Sequence, residues 1–486
     1  MNFFINQAMG LGNSGVEHAE FYRAQRFQQA QLPYRFVFLN LIPELHQAID
    51  RWHLNDHMVL NLWEYLVLGD NYLQTGLLQR QAPRLPETVV DLTQTNRKTE
   101  EVTSAGIRIV QHYYKGPDKH HPANQVLQVR TARVELYNEL TQQRKVMYEV
   151  VDDQHRGHNV INIHLFSEHG QHLFFANLDG LHEYFFDQLR QVYPGINNFL
   201  IDRGEFADDI LMRQQRTDTK IIYIIHADHL ADRDDPSRPL WNDHYEYLLD
   251  HLSAVDAVVT ATELQRQDLL LDFPKATNKI VAIPVGGIRD QPEVVAQPAQ
   301  GKVKKLVTAS RLAAEKHLEI AVKAVVAMHQ AGYQLQFDIY GQGEQKEPIE
   351  KLIKTCRAED YIQLRGLSDD LEHVYPRYDA FISASFSEGF GLTYIEALNA
   401  GLPVITFDAR FGAQELIKDG QNGFLATLKR EDEDYNVNQL KLALQRYWQA
   451  DPVKLSHQTR ASVRQYQDQN IAQKWRKLLD GLSTSK

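Results

Sequence analysis

The sequence predicts an α/β protein with two doubly wound, Rossmann-like parallel sheets and an antiparallel β insertion in the first. Three observations carry this. Apolar strand-like runs alternate with helix-periodic segments over 302–407, and a similar alternation surrounds 221–260. Between about Thr88 and Leu189 the pattern changes to short alternating strands. At 486 residues the chain exceeds one ordinary domain. Its 43% apolar and 24% charged residues suit a globular protein. No stretch approaches the roughly 18 apolar residues that a membrane span requires.

The elements follow in order. Met1 to Gly12 has no basic start, sustained apolar run or small-residue cleavage site, so no secretory signal is expected and the chain is expected in the cytoplasm. The Gly-rich turn Gly10-Leu11-Gly12-Asn13-Ser14-Gly15 follows a short strand and leads into a helix. Gly15 could therefore bring its amide to a phosphate, although an ordinary turn has the same pattern. Ile107 to Tyr114 and His172 to Phe175 alternate as exposed-face strands do, which predicts the antiparallel insertion. A continuation of the α/β domain with weak helices is the alternative. Ile221 to Ile225 and Ala257 to Thr260 are strands, and the Pro- and Gln-rich stretch Asp290 to Gly301 is a linker.

Beyond the linker, strands are predicted at Leu306 to Ala309, Leu335 to Tyr340, Tyr361 to Leu364, Ala380 to Ala384 and Pro403 to Phe407. Helices are predicted at Leu318 to Met328, Pro348 to Cys356 and Leu392 to Asn399. The expected plan is 1–87 with 190–290 as the first domain, 88–189 as the insertion, 291–301 as the linker and 302–486 as the second domain. Parallel strands with right-handed crossovers place a ligand at their carboxyl ends.

A net charge of −11 argues against a nucleic-acid groove, which needs clustered cations. It leaves room for a small basic pocket. The single cysteine, Cys356, excludes an internal disulfide and a cysteine-rich metal site, and in its helical pattern it is expected to pack inertly. His226, Asp228 and His229 are poorly spaced for a metal, and no further ligand is identifiable. Asp432-Glu433-Asp434 lies in an acidic run and is expected to be a solvated loop.

Two segments carry chemistry. In Ser383-Ala384-Ser385-Phe386-Ser387-Glu388-Gly389-Phe390-Gly391-Leu392-Thr393-Tyr394-Ile395-Glu396, one glutamate ends a strand, glycines form the turn and the second glutamate rides the next helix. The glycines let a ligand approach the backbone, and the helix start offers amides. In Thr308-Ala309-Ser310-Arg311-Leu312-Ala313-Ala314-Glu315-Lys316, Arg311 offers a planar fork to phosphate and Lys316 a point charge. Each segment alone is compatible with surface charge. Together, at one sheet edge, they suit a diphosphate-linked donor.

These segments resemble the donor site of family-4 retaining glycosyltransferases of GT-B fold, which carry an Arg, a Lys and a Glu-x7-Glu pattern. The resemblance implies a metal-independent enzyme that uses a UDP-sugar as donor substrate and needs no cofactor. It implies that Arg311 and Lys316 hold the diphosphate, Glu388 contacts the transferred sugar and Glu396 the ribose. The backbone of Phe390, Gly391 and Leu392 would complete those contacts. Gly366, in Arg365-Gly366-Leu367, lies where such proteins hold the base. Gly15 would meet the diphosphate, and His226 would face the donor sugar and acceptor.

Ser14-Gly15-Val16-Glu17-His18-Ala19, the β insertion, Thr260 to Gln265 and Ile283-Pro284-Val285-Gly286 resemble the bacterial subgroup that decorates cell-surface polymers. Two acceptors follow from the resemblance: Ser/Thr of a serine-rich protein, given N-acetylglucosamine, or the polyol-phosphate of wall teichoic acid. Ser-Gly-Val-Glu followed by Tyr22-Arg23-Ala24 favours the protein, and an acidic chain would repel a polyanion. A homologous noncatalytic partner subunit or a homo-oligomer is implied, with peripheral membrane association open. A noncatalytic substrate-binding subunit on the same fold is the reading from another class, and it would have no reason to keep Arg311, Lys316, Glu388 and Glu396 together.

Overall fold

The structure is a computed structural model that describes residues 1–12, 15–118, 126–153, 157–166, 170–202, 207–214, 216–233, 235, 237–290, 303–368 and 370–484. The expected linker 291–301 lies outside them, as do Asn13 and Ser14 of the Gly-rich turn. Two compact units are formed. One comprises Met1–Glu17, Pro33–Ile224 and Asp243–Asp256, the other His18–Leu32, Ile225–Asn242 and Ala257–Lys486.

The first unit begins with β1 (Asn2–Asn6), β2 (Tyr34–Phe38) and β3 (Val59–Asn61). Then come β4 (Arg84–Val90), β5 (Asn96–Val102), β6 (Ile107–Pro117), β7 (Leu127–Asn138), β8 (Gln143–Asp153), β9 (Gly157–Phe166) and β10 (His172–Asn177). β11 (Asn197–Ile201) and β12 (Thr219–Ile225) close the series. The parallel order is β12-β11-β1-β2-β3. β1 and β11 are buried along their whole length, as strands covered on both faces must be.

The antiparallel meander runs β10-β9-β8-β7-β6-β5-β4. Its buried face carries Ile107, Ile109, Val134, Leu136, Val146, Ile163 and Leu165. Trp63, on the helix Leu62–Leu68, meets Tyr148 at a ring separation of 5.0 Å. The helix Leu178–Val192 is capped by Asn177, whose side chain accepts from Gly180 N, and buries Leu181, Phe185, Phe186 and Leu189 at helical spacing.

The second unit holds β13 (Leu230–Asp232), β14 (Leu240–Trp241), β15 (Ala257–Thr260) and β16 (Ile280–Ala282), the last two paired in parallel. Its main sheet is built from β17 (Lys304–Ala309), β18 (Leu335–Tyr340), β19 (Ile362–Gly366), β20 (Ala380–Ile382), β21 (Val404–Phe407) and β22 (Gly423–Ala426). All its pairings are parallel, in the order β19-β18-β17-β20-β21-β22. The order reverses between β17 and β20, which makes their carboxyl ends the topological switch point.

The expected α/β class is therefore present, with local differences. β20 stops at Ile382: Ser383 N still donates to Ile405 O at 2.9 Å, but the chain then turns, and the Ser383 hydroxyl accepts from Ser385 N at 3.3 Å. The helix expected from Pro348 begins at Lys346, with Pro348 in its first turn, where a missing amide hydrogen costs nothing. Of the acidic run expected as loop, Glu433 and Asp434 are helical: Asp432, just before them, accepts from Tyr435 N and caps the helix Glu433–Gln449. Cys356 packs half-buried against the core of this unit.

Candidate functional site

Arg311 and Lys316 descend from β17, and Glu388 from β20, the two strands that flank the switch point. After β17 the chain makes a short 3-10 turn, Ala314–Lys316. His317 then takes the left-handed conformation and stacks on Phe386, with ring centroids 3.7 Å apart. That turn swings Lys316 back over the sheet edge, where its Nζ donates to Glu388 Oε1 at 2.7 Å. Both side chains are about four-fifths buried, at 21% and 18% exposure. Arg311 differs: it is exposed and donates to Glu315, four residues on, at 2.7 Å. Glu315 holds a guanidinium that a phosphate could claim.

Glu388 sits in a tight backbone frame. Its N–H donates to Arg410 O at 3.0 Å, and its carbonyl accepts from Phe411 N and Gly412 N, both at 2.8 Å. The next residue meets the loop after β12. A Cβ on Gly389 would lie 2.2 Å from His226 O, closer than real Cβ atoms come, so only glycine lets the Glu388 turn lie against His226. Gly391, at φ +85°, then caps the helix Leu392–Asn399. Phe390 is buried, its ring against Tyr466.

Glu396 lies on that helix among largely buried neighbours. Glu396 itself is exposed. Loss of solvation pushes its pKa up to about 7; a hydrogen bond from Tyr375 Oη at 3.4 Å opposes the rise, and nearby Glu372 adds to it. The contact with water also works against the rise. Tyr375 is nearly fully buried.

At the end of β19, Gly366 (φ +77°) accepts from Gly341 N at 2.8 Å. Beside it Arg365 pairs with Asp338 at 3.0 Å, and Asp338 also accepts from Tyr378 Oη at 2.6 Å. Leu392 opens the Gly391-capped helix, half-buried. Gly15 opens the helix Gly15–Gln29 and is exposed in the first unit. No group of three or more His, Cys, Asp or Glu placed to hold a metal ion occurs among the described residues. His229 is instead fully buried, with Nε2 3.3 Å from Asp268.

The structure thus joins Lys316 to Glu388 and sets Gly389 against His226, while it leaves Arg311 with Glu315. Sequence reasoning missed Tyr375, Asp268 and Arg410. None carries a local motif, and only the tertiary contacts bring them to the site.

Residues 290–480 match the family described as Glycosyl transferases group 1. Over 98% of both chains the protein is 29% identical to the UDP-N-acetylglucosamine–peptide N-acetylglucosaminyltransferase GtfA subunit of Limosilactobacillus reuteri subsp. suis. Over 61% of this chain and 42% of the relative it is 28% identical to the poly(glycerol-phosphate) alpha-glucosyltransferase of Bacillus subtilis. Among solved structures it resembles the GtfA/B complex, with a TM-score of 0.75, 24% identity and full coverage of both chains. With the switch-point geometry and a fold shared along its whole length, the chain has the GT-B fold of the solved glycosyltransferases it resembles and carries a group 1 glycosyl transferase module over residues 290–480, the module of a nucleotide-sugar-dependent hexosyltransferase.

Proposed function

We propose that the chain transfers N-acetylglucosamine from UDP-GlcNAc, with retention, to Ser/Thr hydroxyls of a polypeptide. The observation that carries the site is the Lys316–Glu388 pair at the switch point, a cation and a carboxylate brought from two strands to where a diphosphate-linked sugar would lie. The end-to-end likeness to the peptide N-acetylglucosaminyltransferase subunit supports the donor and acceptor.

In this reading Lys316 and Arg311 balance the charge that develops on the departing diphosphate, with the backbone of residues 390–392 adding donors. Glu388 holds the sugar, Glu396 the ribose, and Gly366 lets the base lie close to the chain. The bond from the anomeric carbon to the phosphate oxygen breaks, and the acceptor oxygen bonds that carbon on the same face. The hydroxyl proton passes to a leaving diphosphate oxygen. His226 borders the sugar and acceptor. No divalent cation is needed, because two side-chain cations do its work.

A second reading, α-glycosylation of a poly(polyol-phosphate), is favoured by the likeness to the Bacillus subtilis enzyme. Purified protein would be offered a panel of UDP-sugars with a serine-rich peptide or a poly(glycerol-phosphate), with and without EDTA, and the products weighed by mass spectrometry. GlcNAc on the peptide, undiminished by EDTA, is expected. Sugar on the polyol-phosphate alone would select the second reading, and activity abolished by chelation and restored by magnesium would overturn the metal-free mechanism.

A further inference from the structure

Glu388 and His226 come from distant parts of the chain, yet one partly buried carboxylate reaches the supports of both. Asp268 lies on the helix Glu263–Asp272 and is 17% exposed. Its Oδ2 accepts from Arg410 at 2.5 Å, and His229 Nε2 lies 3.3 Å away. Arg233, held mainly by Asp272 at 2.6 Å, approaches the same oxygen at 3.5 Å. Burial alone would raise the Asp268 carboxyl; His229, Arg410 and Arg233 outweigh it and hold it below the usual carboxylate range.

Each partner leads to the reacting groups. Arg410 supplies the carbonyl that accepts from Glu388 N, and its neighbours Phe411 and Gly412 donate to Glu388 O. His229 is three residues beyond His226, and its ring lies nearly parallel to Phe411, 5.7 Å between centroids. Gln265, on the same helix and fully buried, donates to Ala227 O at 2.7 Å. The Glu388 turn is thus clamped between the 410–412 segment and the His226 backbone, and both sides return to one helix.

We infer that Asp268 is a positioning residue, which through Arg410 and His229 fixes the spacing between the Glu388 carboxylate and His226. It rests on the proposed roles of those two residues toward the sugar. An asparagine there keeps the shape but loses the charge that gathers two or three cationic or donor groups, so the frame loosens without losing its packing. A displacement of about 1 Å at a reacting centre can cost on the order of a hundredfold in rate.

The test measures kcat and KM for the UDP-sugar that the full-length protein turns over fastest, with UDP affinity by calorimetry and melting temperature alongside. Asp268→Asn should lower kcat about ten- to a hundredfold, leave UDP affinity within about threefold, and Asp268→Glu should restore part of the rate. Arg410→Met, a change at a partly exposed side chain, should lower kcat in the same sense, and the double variant should be little worse than Asp268→Asn alone. Wild-type kcat in either single variant, strict additivity in the double, or UDP affinity falling as far as kcat would overturn the inference. Where Asp268→Asn fails to fold, Arg410→Met alone decides. Glu388→Gln run beside them separates the two levels. If it is impaired while Asp268→Asn and Arg410→Met are not, only the positioning role fails. If Glu388→Gln is itself unimpaired, the sugar assignment fails and takes the inference with it.

Discussion

Glu388 and Glu396 stand in one motif, but their surroundings give them different tasks. Glu388 is held by Lys316 and framed by three backbone hydrogen bonds, so it faces the place where charge and shape change as a glycosidic bond breaks. Glu388→Gln should lower kcat about ten- to a hundredfold, the equivalent of roughly 1.5–3 kcal/mol for a lost charged hydrogen bond. Glu396→Gln should act chiefly on donor KM, since a ribose is unchanged by the reaction. Steady-state kinetics over a range of donor concentrations checks both, and Glu388→Gln with unaltered kcat would withdraw its assignment.

Glu396 also carries a pH prediction. Loss of solvation pushes its pKa up, to about 7 before its contact with water is counted, so the protonated form gains weight as pH falls toward and below that value. Ribose hydroxyls donate to a carboxylate, hence donor KM should fall as pH rises through about 7. The sign for stability is opposite: between the ordinary carboxylate pKa and 7 the folded state binds more protons than the unfolded chain, so this group favours folding as pH falls through 7. A KM–pH profile that is the same in Glu396→Gln and wild type would remove Glu396 as the cause.

At the scale of elements, the site depends on turns more than on helices or strands. The switch point supplies two strand ends, but the 3-10 turn after β17 aims Lys316, and the glycines after β20 allow the closest approach. Gly389→Ala would force its Cβ onto His226 O, where backbone must yield, at a cost typical of overpacking, about 1–3 kcal/mol. Its melting temperature should drop by several degrees and its kcat should fall. A thermal scan that matches wild type would show that the loop after β12 moves freely.

At the scale of the molecule, the meander of β4 to β10 holds none of the proposed donor-site residues. Its edge strand β4 is exposed along its whole length, with Leu85 at 86% exposure and Leu92 beside it fully open. Open strand edges pair readily with another chain. We propose that this sheet receives a partner subunit or a second copy. Leu85→Asp with Val89→Asp should shift the protein to a smaller species by light scattering and leave UDP affinity unchanged. If assembly were intact, or UDP affinity fell as far as assembly, another surface would have to carry the contact.

Periodicity in the sequence was enough to determine the α/β class, because a period of 2 or 3.6 is a local property that survives without knowledge of the neighbours. It located β17, β18, β21 and the helix Leu392–Asn399 within one or two residues, and it marked Glu388, Glu396, Arg311 and Lys316 as chemically suggestive. It missed the cap at Asp432, where an acidic run reads as solvated loop although its first carboxylate caps the start of a helix that takes in Glu433 and Asp434. Tertiary structure alone decided which charges meet. Lys316 finds Glu388 across 72 residues, Arg410 finds Asp268 across 142, and Arg311 stays with its neighbour Glu315. The physical reason is that strand order, which brings β17 beside β20, is set by burial of both sheet faces and by the long-range pairing of backbone groups, and neither leaves a mark in a short window of sequence.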